Sequence, residues 1–213
     1  MEDTSAATAF WAAPRDSTAW VTGYRDSLHT RHRAVILEAL DASSPWRSVH
    51  ELGCHCGPNL RLIRQRFPWS VCTGSDVNTQ AIEEGRRWFA LDPNVSLWQA
   101  NLLDDLNTPY MEKPDIILTC YTLAYVAPED LHIVLRRLVQ EARRGVILAE
   151  PMAPASQAGS LKKPFPEWSH DYAATMGAVM QEQGRDGIGV IRMVDPPVDN
   201  LNAVLTVTWE PTA

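Results

Sequence analysis

The chain has 213 residues, 26 acidic and 19 basic, for a formal charge of −7, and 45% of it is apolar. That length fits one domain, or one domain with a short appendage, and carries enough apolar surface for a full core; it excludes a disordered chain, and unperiodic proline and glycine exclude a rod. The acidic balance argues against capture of nucleic acid or of an anionic membrane surface, which need a basic face. In chain order, residues 1–47 form an aromatic-rich helical lead with Phe10, Trp11, Trp20 and Tyr24. Trp20 and Tyr24 stand i, i+4 on a helix, and with Trp11 they are placed to form a lid that excludes water from a site. Glu2 and Asp3 stand where a signal peptide would be basic, and no apolar run is long enough to span a bilayer, so the cytoplasm is the expected compartment.

From Ser48 to the end, residues 48–213, the chain alternates short apolar runs with helical patterns. Ser48–Leu52 reads as a strand running into a glycine-containing turn. Pro58 then opens a helix whose Leu60, Ile63 and Phe67 share one face, and Pro68 closes it. Val71–Asp76 is the next strand, followed by a helix over about Gln80–Phe89 and a third strand over Val95–Ala100. Asp115–Tyr121 is a fourth, and its unbroken Ile116-Ile117-Leu118 is typical of a strand buried on both faces. Pro128-Glu129-Asp130 opens a helix to about Ala142, with acids in its first turn and Arg143–Arg144 at its end, as the helix dipole favours. Gly145–Glu150 is a fifth strand.

After a helix near Ser169–Gln183, with Ser169 as its N-cap, Gly187–Met193 and Asn202–Trp209 flank the turn Asp195-Pro196-Pro197-Val198-Asp199-Asn200. Two strands joined directly by a turn form an antiparallel pair. The order predicts an α/β fold, Rossmann-like and doubly wound, with a mostly parallel seven-stranded sheet and an antiparallel C-terminal strand pair.

Cys54, Cys56, Cys72 and Cys120 do not make a disulfide framework in a chain this long. Cys54-His55-Cys56 offers zinc-type ligands, but no second pair completes a site. No metal is expected, and the thiols read as small, buried and reduced.

In an open α/β sheet, ligands bind at the carboxyl ends of the strands, where strand order reverses. The first strand ends in Glu51-Leu52-Gly53-Cys54-His55-Cys56-Gly57-Pro58-Asn59. Gly53 and Gly57 let the backbone approach a ligand and turn sharply into the helix. Asp76 ends the second strand, where a carboxylate can accept from both hydroxyls of a ribose. The pair reads as a nucleoside-containing cofactor site. A dinucleotide fits poorly, because the spacing is not G-x-G-x-x-G and Pro58 removes a useful amide.

Over about residues 48–210 the chain resembles the class I S-adenosylmethionine-dependent methyltransferases. Glu51, Gly53 and Gly57 match the acid and the first and third glycines of the family's first motif, while His55 stands at the middle glycine. GCHCGPNLRLI looks like the GC-x-x-GPNL variant of small bacterial members. The resemblance implies S-adenosyl-L-methionine as cofactor, held by Glu51, Gly53, Cys54, His55, Gly57 and Asn59 of the first loop, with Asp76 and Val77 at the ribose. Asn101 stands where the family usually has an aspartate at the adenine amine, Leu102 offers an amide to the ring, and Tyr121 follows the fourth strand.

The family's base-methylating DNA enzymes carry [DNS]-P-P-[FYW] after that strand, and this chain has Thr119–Tyr125 there. With the acidic charge, this points to a small-molecule or peptide-like acceptor. Methyl transfer is an in-line displacement, so the protein chiefly aligns the reactants, and a base is needed only for a protonated acceptor. The candidates are His170, preferred because imidazole titrates near neutrality, with Tyr125 and Asp171; Tyr121 and Glu150 stand nearby. Trp168 could add an aromatic wall, and Arg31 or His32 could reach the cofactor carboxylate. The rival readings are a non-catalytic cofactor- or partner-binding member of the fold and a nicotinamide oxidoreductase. A monomer or homodimer without nucleic-acid or membrane partners is expected.

Overall fold

The structure is a computed structural model, and it describes residues 2–14, 18–107, 112–153, 156, 158–159, 161–162, 167–198 and 201–210. The lead folds as α1 (Glu2–Ala12), α2 (Thr18–Asp26) and α3 (Arg31–Ala42). Then come β1 (Ser48–Leu52), α4 (Pro58–Arg66), β2 (Val71–Asp76), α5 (Thr79–Trp88), β3 (Val95–Gln99), α6 (Leu102–Asn107) and β4 (Ile116–Cys120). The chain continues through α7 (Pro128–Glu141), β5 (Gly145–Ala149), β6 (Leu161–Lys162), β7 (Glu167–Trp168) and α8 (Tyr172–Glu182), and closes with β8 (Ile188–Val198) and β9 (Leu201–Thr208).

Seven strands form one sheet in the order β3-β2-β1-β4-β5-β9-β8. β1 to β5 are parallel, β9 runs against β5, and β8 pairs antiparallel with β9. Alternation along each strand divides the core. Val49, Ile116, Leu118 and Ile147 pack with Val35, Ile36, Leu40, Leu60, Ile63 and Ile82 of α3, α4 and α5. Leu52, Ile117, Val146 and Leu148 pack on the other face with Leu131, Leu135 and Leu138 of α7 and Met176 and Val179 of α8. Every residue of β5 is buried, as a strand covered on both faces requires. The chain leaves β1 for β2 and β3 on one side and returns to β4 on the other. That reversal opens a crevice above the carboxyl ends of β1 and β4.

The terminal hairpin departs from expectation. β8 runs on to Val198, so Asp195-Pro196-Pro197-Val198 belongs to a strand, and its pairing with β9 shifts register between Met193 and Val198. Prolines donate no ladder bond, which an edge strand with a bulge tolerates. Residues 199 and 200 of the expected turn lie outside the described residues. α8 starts later than its pattern suggested, with Asp171 rather than Ser169 as the N-cap. Among the described residues, no helix is long and apolar enough to cross a membrane.

Candidate cofactor and acceptor site

A cavity of about 740 Å³ occupies the crevice, with the β1, β2 and β4 loops as its floor and α1 and α2 as its cover. Its floor begins with the loop after β1. Gly53, His55 and Gly57 all have left-handed backbones, with φ of 70°, 52° and 83°. A Cβ on Gly53 would overlap the Thr122 side chain, so only glycine lets the β1 and β4 loops approach this closely. His55 holds the glycine-like backbone of the family pattern despite its side chain. Its N–H donates to Asp76 Oδ2 at 2.8 Å, and Asn78 N–H donates to Asp76 Oδ1 at 2.8 Å. Burial raises the Asp76 carboxyl above its ordinary value, against the pull of those two amides.

Glu51, 1% exposed, forms the back wall. Its Oε1 accepts from Asn59 Nδ2 at 2.6 Å, while Oε2 has no hydrogen-bond partner among the described residues. Burial pushes its carboxyl up to about 8, outweighing the Asn59 bond and the nearby Arg33 charge. Arg33, on α3, donates to Asn59 Oδ1, to Ser27 Oγ at 2.7 Å and to the Ser27 carbonyl at 3.0 Å. Beside it, burial and Arg33 push the His32 imidazole down to about 4. Thr30 Oγ1 donates its one hydrogen to the Ser27 carbonyl, so His32 Nε2 is the donor in their contact at 3.5 Å. Nδ1 is then a bare acceptor, without a hydrogen-bond partner among the described residues.

The loop after β4 forms the opposite wall. Glu150, fully buried at the end of β5, accepts from Thr122 N–H with both oxygens at 3.0 and 3.1 Å. Burial raises its carboxyl to about 7, while bonds from Thr122, Leu123 and Ala124 amides pull it down. This clamp positions Tyr121, in a left-handed conformation with φ 54°, and Tyr125, whose ring meets Trp11 at 5.1 Å.

The structure brings together Glu51, Gly53, Cys54, His55, Asn59, Asp76, Val77, Asn101, Leu102, Tyr121 and Tyr125 on the cavity wall. Gly57 lies behind it as the N-cap of α4, facing the Phe89 ring. Asn101 caps α6, its Oδ1 accepting from Asp104 N–H at 2.9 Å. His170 and Asp171 are off the wall. His170, 2% exposed, is tied through Nε2 to the Val126 carbonyl at 2.9 Å, and burial lowers its pKa; Asp171 Oδ1 accepts from Ala174 N–H at 3.0 Å. Arg31 faces outward to Glu38 at 3.4 Å, and Trp168 is off the wall while its neighbour Glu167 is on it. Of the two positions the sequence suggested, His32 lines the wall and Arg31 does not; the buried arginine on the wall is Arg33, two residues after Arg31. The apolar positions Val35, Ile36, Ala39 and Leu40 make α3 a core helix, which was the available signal that its first turn faces inward.

A sequence model of methyltransferase domains matches residues 49–145. Carboxy-S-adenosyl-L-methionine synthase of Geobacter sp. (strain M21) is 26% identical over 122 residues, 54% of this chain and 50% of that protein. The chain thus spans about half the length of the curated relative it matches. Among solved structures, a chain of the Haloferax volcanii complex between a methyltransferase activator and its methyltransferase superposes with a TM-score of 0.69 at 15% identity, covering 92% of this chain and 96% of that one. Magnesium protoporphyrin IX methyltransferase from Synechocystis PCC 6803 gives 0.67 at 14% identity, with 99% and 98% covered. Residues 49–145 thus match a methyltransferase domain in sequence, and the strand order is that of the methyltransferase fold of these solved structures.

Proposed function

We propose that the protein transfers a methyl group from S-adenosylmethionine to a small-molecule acceptor inside the covered cavity. The observation that carries this is the presence on one cavity wall of Asp76 and of Glu51, whose Oε2 has no hydrogen-bond partner among the described residues. These residues fit the cofactor's chemistry: a buried acceptor without a donor suits an ammonium, and each Asp76 oxygen keeps a lone pair for a ribose hydroxyl beyond the amide it already binds. Arg33 supplies positive charge for a carboxylate. Val77, Asn101 and Leu102 border the place for the base.

Held by Glu51, Asp76 and Arg33, the cofactor would supply a methyl group on a sulfonium, the acceptor's lone pair bonding the methyl carbon as the carbon–sulfur bond breaks and the sulfur leaves as a thioether. The chain's own contribution is alignment and exclusion of water. Trp11, Trp20 and Tyr24 of the lead serve as cover, and Tyr121 and Tyr125 face the acceptor. The volume of about 740 Å³ lies in the usual range for small-molecule sites, about 300–1,000 Å³, with room beside a cofactor. His32, kept neutral by its lowered pKa, lines this wall, and its Nδ1 has no hydrogen-bond partner among the described residues.

Calorimetric titration with S-adenosylmethionine, S-adenosylhomocysteine and NAD, repeated on Asp76→Ala, tests the reading. Micromolar binding of both adenosyl ligands, lost in the variant, is expected, followed by turnover on a panel of phenols, amines, thiols and carboxylates. Binding of NAD alone, or of none of the three, would sink it.

A further inference from the structure

Asp76 stands where the cofactor site meets its cover. Its two oxygens accept from the amides of His55 and Asn78, both at 2.8 Å. The side chains of those same two residues hold the cover helices. The His55 ring stacks on Tyr24 of α2, with centroids 3.8 Å apart and planes at 17°, and meets Trp20 edge-on at 4.4 Å. Asn78 Nδ2 donates to the carbonyls of Trp11 and Ala13, at the end of α1, at 2.9 and 3.3 Å. One carboxylate is therefore a single bond away from the attachment of each helix.

We propose that Asp76, His55 and Asn78 form a coupling unit through which a diol bound at Asp76 holds α1 and α2 shut, making His55 and Asn78 positioning residues. The proposal rests on the cofactor reading above. Two hydroxyl donors on the carboxylate fix its rotamer, and with it the direction of both amides. A side chain at a left-handed position is disfavoured relative to glycine, and the aromatic stack offsets that strain. α2 is also tied through Arg25, which lies over the Trp88 ring at 5.2 Å and pairs with Glu84 at 2.8 Å; that ion pair is half-exposed on the arginine side, and such pairs hold little. The imidazole stack joins α2 directly to the loop that donates to Asp76.

Amide hydrogen exchange of α1 and α2, with and without S-adenosylhomocysteine, tests this on the full chain. His55→Gly removes the ring at a φ that suits glycine, and His55→Phe keeps a ring to stack. Asn78→Asp keeps the acceptor that caps α5 through Ala81 N–H and removes the donor to α1. In the wild type the ligand is expected to slow exchange in both helices. His55→Gly should lose the slowing in α2 alone and weaken ligand binding by about 3- to 10-fold. His55→Phe should restore both, and Asn78→Asp should lose the slowing in α1 alone. Ligand binding with both helices slowed equally in all variants overturns the coupling and leaves the cofactor reading standing. Absence of binding to the wild type overturns both.

Discussion

Burial governs the titratable side chains in and beside the cavity. Glu51 and Glu150 are raised from 4.5 to about 8 and about 7, because desolvation disfavours their charged forms more than their hydrogen bonds favour them. Above pH 4.5, the folded chain keeps protons that the unfolded chain has released. Their contribution to stability is complete below pH 4.5 and is lost as pH rises through about 7 for Glu150 and about 8 for Glu51. His32 and His170, lowered by burial, oppose this up to about pH 6.5, so urea unfolding of the ligand-free protein should show falling stability from about pH 6.5 to about pH 8.5, with Glu51→Gln flattening the fall by about 2 kcal/mol. A cationic ligand beside Glu51 favours the carboxylate. Titration with S-adenosylmethionine near neutral pH, in two buffers of different ionisation enthalpy, should show proton release that Glu51→Gln abolishes. His170 and Asp171 illustrate the limit of residue-type reasoning. A histidine suits proton transfer by its chemistry, yet this ring is tied to a backbone carbonyl, and the aspartate beside it caps a helix.

At the scale of elements, strands and helices followed their periodicity closely. β2 spans Val71–Asp76 as read, and α7 begins at Pro128 with Glu129 and Asp130 in its first turn. α6 went unread, because six residues carry too little periodicity to register. It is held from outside itself: His50 Nε2, Ser75 Oγ and Trp98 Nε1 contact the Asp105 carboxylate at 2.9, 2.6 and 2.8 Å. Burial raises the Asp105 pKa, but His50, Ser75 and Trp98 prevail and lower it overall, so its stabilisation is lost as pH falls. Asp105→Ala would strip buried groups of their acceptor and should cost about 3 kcal/mol in urea unfolding. Since α6 follows directly on Asn101, adenosyl-ligand affinity should fall in the same variant. The prolines of β8 misled for a physical reason: a Pro-Pro pair reads as a turn wherever the ladder needs donors, and an edge strand with a bulge does not need them.

Across the whole molecule, the cavity gathers residues from Ala7 to Glu167. The lead is not of one kind. α3 belongs to the core, while α1 and α2 lie over the cavity. Removing residues 2–14 should leave the sheet's Tm within about 5 °C, since α1 contributes little to either core cluster. The same deletion should speed release of S-adenosylhomocysteine in stopped-flow measurements, as expected if α1 is part of the cover. By itself, the sequence determined the order of the seven strands of the main sheet and of the helices between them apart from α6, the glycine-bearing loop after β1 and the acid at the end of β2. These depend on local periodicity and on spacings within a single strand–loop–helix unit. Only the tertiary structure decided that Arg33 rather than Arg31 faces the cavity, that His55 stacks on a helix some thirty residues earlier, and that His170 is turned away. Each of those depends on how α2, α3 and the β5–α8 segment pack against the sheet, a long-range outcome that no local pattern records.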